Sequence, residues 1–167
     1  MWIKVGKSGN NCGLLNTLPL RNKKMFIGEY NVSMDSKGRI SVPAKFRSLL
    51  KTAAVITRGL DKSLFIYARP EWEKIAAKLS ALPLTQANSR AFARLMLAGA
   101  YDLEFDRQGR ALIPDSLRQF ASLTKKIVVA GLYSRLEVWD HAVWQAYKQE
   151  TEKESTAIAE ALGELGV

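Results

Sequence analysis

Cysteine and histidine are nearly missing from this chain, which holds one of each, Cys12 and His141, in 167 residues. A single thiol cannot close an intrachain disulfide, so the sequence reads as cytoplasmic rather than as a secreted disulfide scaffold. The same scarcity excludes a His/Cys metal cluster within one chain. No apolar run approaches the roughly 18 residues that a membrane span needs. Met1–Lys7 is charged, but Ser8–Cys12 is polar where a secretory signal requires an apolar stretch. No nucleophile elbow, P-loop or Gly-rich dinucleotide fingerprint occurs. The reading is therefore non-enzymatic, with no catalytic residue, metal ligand or cofactor assigned, and His141 is read as a helix-start residue.

Acid is absent from residues 1–24, which carry Lys4, Lys7, Arg21, Lys23 and Lys24. The whole chain has 25 Lys+Arg against 16 Asp+Glu, a net charge of +9, so more than half the excess lies in that leader. A basic balance points, weakly, to nucleic acid or an acidic surface as partner. The leader is rich in Gly and Asn and has no sustained apolar period. A strand pattern begins only at Met25-Phe26. Residues 1–24 are thus read as an N-terminal extension, disordered or not native, with Met25 as the natural start.

What the sequence does have is a repeat. A shift of 71 positions superposes Gly28 on Gly99, Tyr30 on Tyr101, Asp35 on Asp106, Gly38 on Gly109, Arg39 on Arg110, Pro43 on Pro114 and Arg47 on Arg118. One further residue of shift matches Gly59 with Gly131, Leu60 with Leu132, Leu64 with Leu136 and Trp72 with Trp144. Identities in consistent order at Gly, Pro, Arg and Trp mark a tandem duplication. The expected organisation is a first repeat over 25–80, a connecting helix over 81–98, a second repeat over 99–149 and an acidic, solvated and partly frayed tail over 150–167.

Each half reads as strand, strand, short helix, strand, strand. Tyr30, Val32 and Met34 alternate with polar residues, as do Tyr101, Leu103 and Phe105, which is the period of a half-buried strand. Asp35-Ser36-Lys37-Gly38 and Asp106-Arg107-Gln108-Gly109 follow. Asp suits the first position of a type I turn and Gly the left-handed position that closes the hairpin, so Asp35, Gly38, Asp106 and Gly109 are turn-forming. Return strands Arg39–Val42 and Arg110–Ile113 come next. Pro43 and Pro114 then open helices to Leu50 and Phe120. Second hairpins follow, Ala54–Thr57 with Leu64–Tyr67 and Ile127–Ala130 with Leu136–Trp139. Helices are expected over Pro70–Ser80, Thr85–Ala98 and from Asp140 onward. Such a half is too small to fold well alone, so the two are expected to share one core.

Lys37, Arg39, Arg107 and Arg110 cluster at these hairpins and are the candidate DNA-binding residues. A two-stranded ribbon fits the major groove, where arginine offers a planar fork to guanine O6 and N7. The same side chains can instead hold phosphate, without reading sequence. A third reading is structural, Asp35 pairing with Arg39 and Asp106 with Arg110 across each turn. Arg47 and Arg118 lie on the short helices and read as surface or capping residues rather than base readers.

The pattern Asp35-Ser-Lys-Gly-Arg-Ile-Ser-Val-Pro43-Ala-Lys-Phe-Arg47 resembles the swapped-hairpin signature of AbrB-type transcription factors. Its two-copy form, opened by Met25-Phe26-Ile-Gly-Glu-Tyr, resembles the MraZ family from Met25 to about Gln149. The resemblance implies mainly β structure with α, as tandem AbrB-like halves forming a pseudo-twofold double-split β-barrel flanked by helices. It implies a sequence-specific DNA-binding regulator that represses the cell-division and cell-wall operon promoter. Its partners would be short repeats in double-stranded promoter DNA and copies of itself in a ring-like homo-oligomer, cytoplasmic and nucleoid-associated, with no membrane or small-molecule substrate. The alternative is an antitoxin-like protein-interaction module that also binds DNA. The second copy has Gln108 where the first has Lys37, and Ala111 where a branched residue is usual, so its hairpin is expected to contact DNA less strongly or differently.

Overall fold

The computed structural model describes residues 25–50 and 53–163. The expected N-terminal extension, residues 1–24 with Cys12, and the last four residues of the expected acidic tail, 164–167, lie outside the described residues. The first half contains β1 (Phe26–Ser33), β2 (Arg39–Ser41), α1 (Ala44–Leu50), β3 (Ala54–Arg58), β4 (Leu64–Ala68), α2 (Arg69–Ser80) and α3 (Ala87–Leu97). The second contains β5 (Tyr101–Leu103), β6 (Arg110–Leu112), α4 (Asp115–Phe120), β7 (Lys126–Tyr133), β8 (Arg135–Asp140), α5 (His141–Lys153) and α6 (Ser155–Gly163). No described helix is long and apolar enough to cross a membrane.

The strands interleave the halves. The six-stranded antiparallel sheet runs β1-β7-β8-β4-β3-β5. Its centre is the β4–β8 pair, one strand from each half, and each edge strand pairs with the third strand of the other half. β2 and β6 form a separate two-stranded ribbon, again one strand from each half. The order is symmetric about its midpoint, as a duplicated chain with a pseudo-twofold axis requires.

This pairing differs from the expectation that each hairpin is itself the ribbon. Within each hairpin one bridge survives, Met34 to Ile40 and Phe105 to Ala111. The return strands pair with each other instead, Ile40 opposite Ala111. Burial explains the choice. Ile40 and Ala111 are almost fully buried, in one cluster with Phe46, Ile56, Leu64 and Ile66 of the first half and Leu117, Ile127, Leu136 and Val138 of the second. Large apolar side chains contribute roughly 1.5–3 kcal/mol each when fully buried. Exchange lets two halves that are separately too small fill one interior. Strand pairing leaves the six-stranded sheet open, and the two isolated bridges tie the ribbon to its edge strands.

The halves are not equal. β1 makes eight register pairs with β7, whereas β5 is three residues long. The positions corresponding to the start of β1 are taken in the second half by the end of α3. On the outer face of the sheet, α2 and α3 cover Val55, Phe65 and Tyr67 with Trp72, Leu79 and Met96. The Thr57 hydroxyl fastens α3 by donating to the Met96 carbonyl at 2.6 Å. In the second half, α5 brings Trp144 and Tyr147 against Trp139. Asp140 caps this helix, accepting from the Ala142 N–H at 2.9 Å and the Thr124 hydroxyl at 2.6 Å. His141 opens it. The segment Ser155–Gly163 is helical, with no buried residue. Its three alanines and single leucine are strong helix formers.

Candidate nucleic-acid interface

The two turns are built alike from the main chain outward. In the first, the Gly38 N–H donates to the Asp35 carbonyl at 2.9 Å and the Asp35 N–H to the Arg39 carbonyl at 2.9 Å. Asp35 Oδ1 accepts from the Lys37 and Arg39 N–H groups at 2.9 and 3.0 Å. In the second turn, Asp106 Oδ1 accepts from the Gln108 and Arg110 N–H groups, both at 2.9 Å. Gly38 and Gly109 sit at φ of +78° and +76°, left-handed positions that the aspartate-led turn requires.

The other carboxylate oxygen of each aspartate holds an arginine. Arg39 donates to Asp35 Oδ2 from Nε at 2.7 Å and from Nη2 at 2.7 Å. Arg110 does the same to Asp106, at 2.8 and 2.7 Å. The structural pairing considered from sequence is therefore formed in both turns. It does not consume the guanidinium: Nε and Nη2 share one oxygen, and Nη1 of Arg39 stands 3.9 Å from Asp106. Both arginine side chains remain 28% exposed, so each keeps donors on the surface. Lys37 and Arg107 are exposed at the turn tips.

The carboxylates are tuned by these contacts. The Arg39 N–H, then its guanidinium, hold Asp35 down to a pKa of about 2. The Arg110 N–H and guanidinium likewise lower that of Asp106. Both aspartates are thus ionised near neutral pH, and a catalytic proton carrier at this pH would need the opposite shift.

The ribbon assembles the two turns on one surface. Arg39 is in register with Leu112 and Ser41 with Arg110. Strand alternation puts these four on the outer face, with Ile40 and Ala111 inward. Four candidate cations, Lys37, Arg39, Arg107 and Arg110, therefore share one edge of the molecule although 73 positions separate the first from the last.

Arg47 and Arg118 correct the sequence reading. They are neither free surface residues nor caps. Each reaches across to the turn of the other half: Arg118 packs over Gly38 and Arg47 over Gly109. Their Nε atoms are buried with no acceptor among the described residues. Arg118 also pairs with Asp115 at 3.0 Å, whereas the corresponding position in the first half is Ala44. The second turn thus gathers Asp106, Arg107, Arg110 and an Arg47 with no ion pair among the described residues, an excess of two positive charges. The first gathers Asp35, Lys37, Arg39 and the Asp115-paired Arg118, an excess of one. On charge, the second turn is not the poorer of the two. The repeat had matched Arg47 with Arg118, but nothing in the sequence said that each would cross to the opposite half.

A duplicated chain whose halves exchange strands, and which presents paired Asp-x-x-Gly-Arg turns along a joint ribbon, is a tandem swapped-hairpin protein. The chain belongs to the MraZ family, whose model, described as "MraZ protein, putative antitoxin-like", matches residues 25–95 and again 96–164. Relatives named "Transcriptional regulator MraZ" are similar over 143 residues, 86% of this chain and 100% of theirs. Those of Halothermothrix orenii, Thermoanaerobacter pseudethanolicus and Herpetosiphon aurantiacus are 48%, 46% and 44% identical to it.

Proposed function

We propose that this chain is a transcription regulator that binds double-stranded promoter DNA along the β2–β6 ribbon. The observation that carries this is the crossed register of the ribbon, which sets Arg39 and Arg110 on one outward face with Lys37 and Arg107 at its ends. Arg39 and Arg110 serve as groove readers because each is oriented by its own aspartate, which lowers the entropy lost on contact. Lys37 and Arg107 serve as phosphate contacts that set register and salt dependence.

In this reading the protein represses the promoter of the cell-division and cell-wall operon. It acts as a ring-like homo-oligomer on the nucleoid in the cytoplasm. One ribbon makes few contacts, and displaying many on one assembly raises the effective concentration of every contact after the first, which selects short repeats at matched spacing. The fold is read as a double-split barrel with its seams at the Met34–Ile40 and Phe105–Ala111 bridges. The names of the relatives support a regulatory, non-enzymatic role.

Selection of bound fragments from random double-stranded DNA, with the mass of the complex measured alongside, tests the reading. Short repeated sites held by a multimer are expected. Equal recovery of all sequences would leave the ribbon a phosphate binder only, and no recovery would overturn DNA binding.

A further inference from the structure

Each turn is roofed by a side chain from the opposite half. A Cβ built on Gly38 would lie 2.7 Å from Cζ of Arg118, and one built on Gly109 would overlap the Arg47 guanidinium. The main chain joins the halves at the same two points: the Val42 N–H donates to the Gly109 carbonyl at 3.3 Å, and the Ile113 N–H to the Gly38 carbonyl at 3.0 Å. Glycine therefore does two separate things here. It accepts the left-handed backbone, which asparagine also tolerates, and it leaves the space that the guanidinium fills, which asparagine would not.

The buried, acceptor-less Nε atoms of both arginines are a cost, since a donor removed from water without a partner is destabilising. Hydrogen bonding at that atom does not explain why the side chains lie there. Shape does: the guanidinium is a flat, rigid plane that can cover a peptide turn, where a lysine ammonium is a compact, strongly hydrated point.

We infer that Arg47 and Arg118 are positioning residues that work in exchange, each setting the turn of the half that does not contain it. Arg47, from α1, holds Asp106–Arg110; Arg118, from α4, holds Asp35–Arg39. The two arginine-bearing turns are thereby tied to each other through the core, and neither half can present its arginine without the other. This deepens the reading of the ribbon as a DNA-contacting face and rests on it only for the consequence in binding.

Amide hydrogen exchange on the full chain without DNA tests the exchange directly, because the reporter N–H groups are bonded within the turns. Those of Gln108, Gly109 and Arg110 bond to Asp106, and those of Lys37, Gly38 and Arg39 bond to Asp35. In Arg47→Met, exchange is expected to quicken by about tenfold or more at residues 108–110 and to stay at the wild-type rate at 37–39. Arg118→Met is expected to do the reverse. Acceleration in the variant's own half, equally in both turns, or in neither, overturns the inference. Arg47→Lys keeps the charge without the plane and is expected to leave residues 108–110 as fast as in the methionine variant; recovery of wild-type rates would show that charge alone suffices and would also overturn it. Should Arg47→Met fail to fold, the lysine variant and Arg118→Met carry the same test. Loss of DNA binding by the wild-type chain would sink the DNA reading and leave this result standing. An uncrossed exchange pattern in a chain that binds DNA would sink the inference alone.

Discussion

Arg39 of the first half and Asp106 of the second stand 3.9 Å apart, nitrogen to oxygen, across the two turns. Each is bonded more closely within its own turn, Arg39 to Asp35 and Asp106 to Arg110, so four charged groups alternate along one short surface. Two carboxylates thereby orient two arginines and screen each from the other. A surface ion pair of this kind contributes little to stability. Its use is to fix direction.

The pH response of the turns follows from these bonds. Asp35 ionises with a pKa of about 2 in the folded chain, below its ordinary value of 3.8. A depressed carboxylate pKa adds stability that is complete above the unfolded value and is lost as pH falls through the folded one. Stability from Asp35 is thus expected to be constant above about pH 4 and to fall away between there and pH 2. Carboxyl-carbon NMR titration reads it directly. A midpoint for Asp35 near 4 would show that the turn bonds do not form.

Substituting either turn glycine should destabilise the chain. Gly38→Ala forces a side chain into φ of +78° and against Arg118. The backbone strain costs about 1–3 kcal/mol, visible as a lowered urea midpoint. Gly109→Ala meets the same strain and displaces Arg47. An unchanged midpoint in both would contradict the described turns.

Asp140 provides a control away from the ribbon. Burial opposes its ionisation, but the Thr124 hydroxyl and N–H and the Ala142 and Val143 N–H groups outweigh this and hold its pKa below the ordinary value. Asp140→Ala removes the cap of α5 and strands the Thr124 donors. A loss of about 1–2 kcal/mol is expected by urea unfolding, with DNA binding by the folded protein unchanged.

Much of this was legible in the sequence where the signal is local. Asp35, Gly38, Asp106 and Gly109 fix their turns through bonds spanning two to four residues, and the alternation from Tyr30 to Met34 announces a strand wherever its partner lies. The helices after Pro43 and Pro114 start within a residue of expectation for the same reason. What was hidden depends on partners far along the chain. That β2 chooses β6, that β1 is long while β5 is short, and that Arg47 travels to Gly109 are decided by how two undersized halves fill one interior. Periodicity carries no record of that.

Salt dependence separates the charge contributions. Each phosphate contact contributes a slope of about −0.9 in log affinity against log salt. Lys37→Ala and Arg107→Ala are each expected to reduce the slope by about 1 and to weaken all DNA sequences alike. A wild-type profile that is flat in salt would exclude phosphate contacts at the ribbon.

Binding of a folded Arg39→Ala, Arg110→Ala pair of variants to the selected promoter repeats tests the central claim most directly. Each single change is expected to cost about 1–3 kcal/mol and to relax sequence preference, with the double variant losing discrimination altogether. Wild-type affinity and specificity in both variants, with folding intact, would contradict the assignment of the ribbon as the DNA-reading surface.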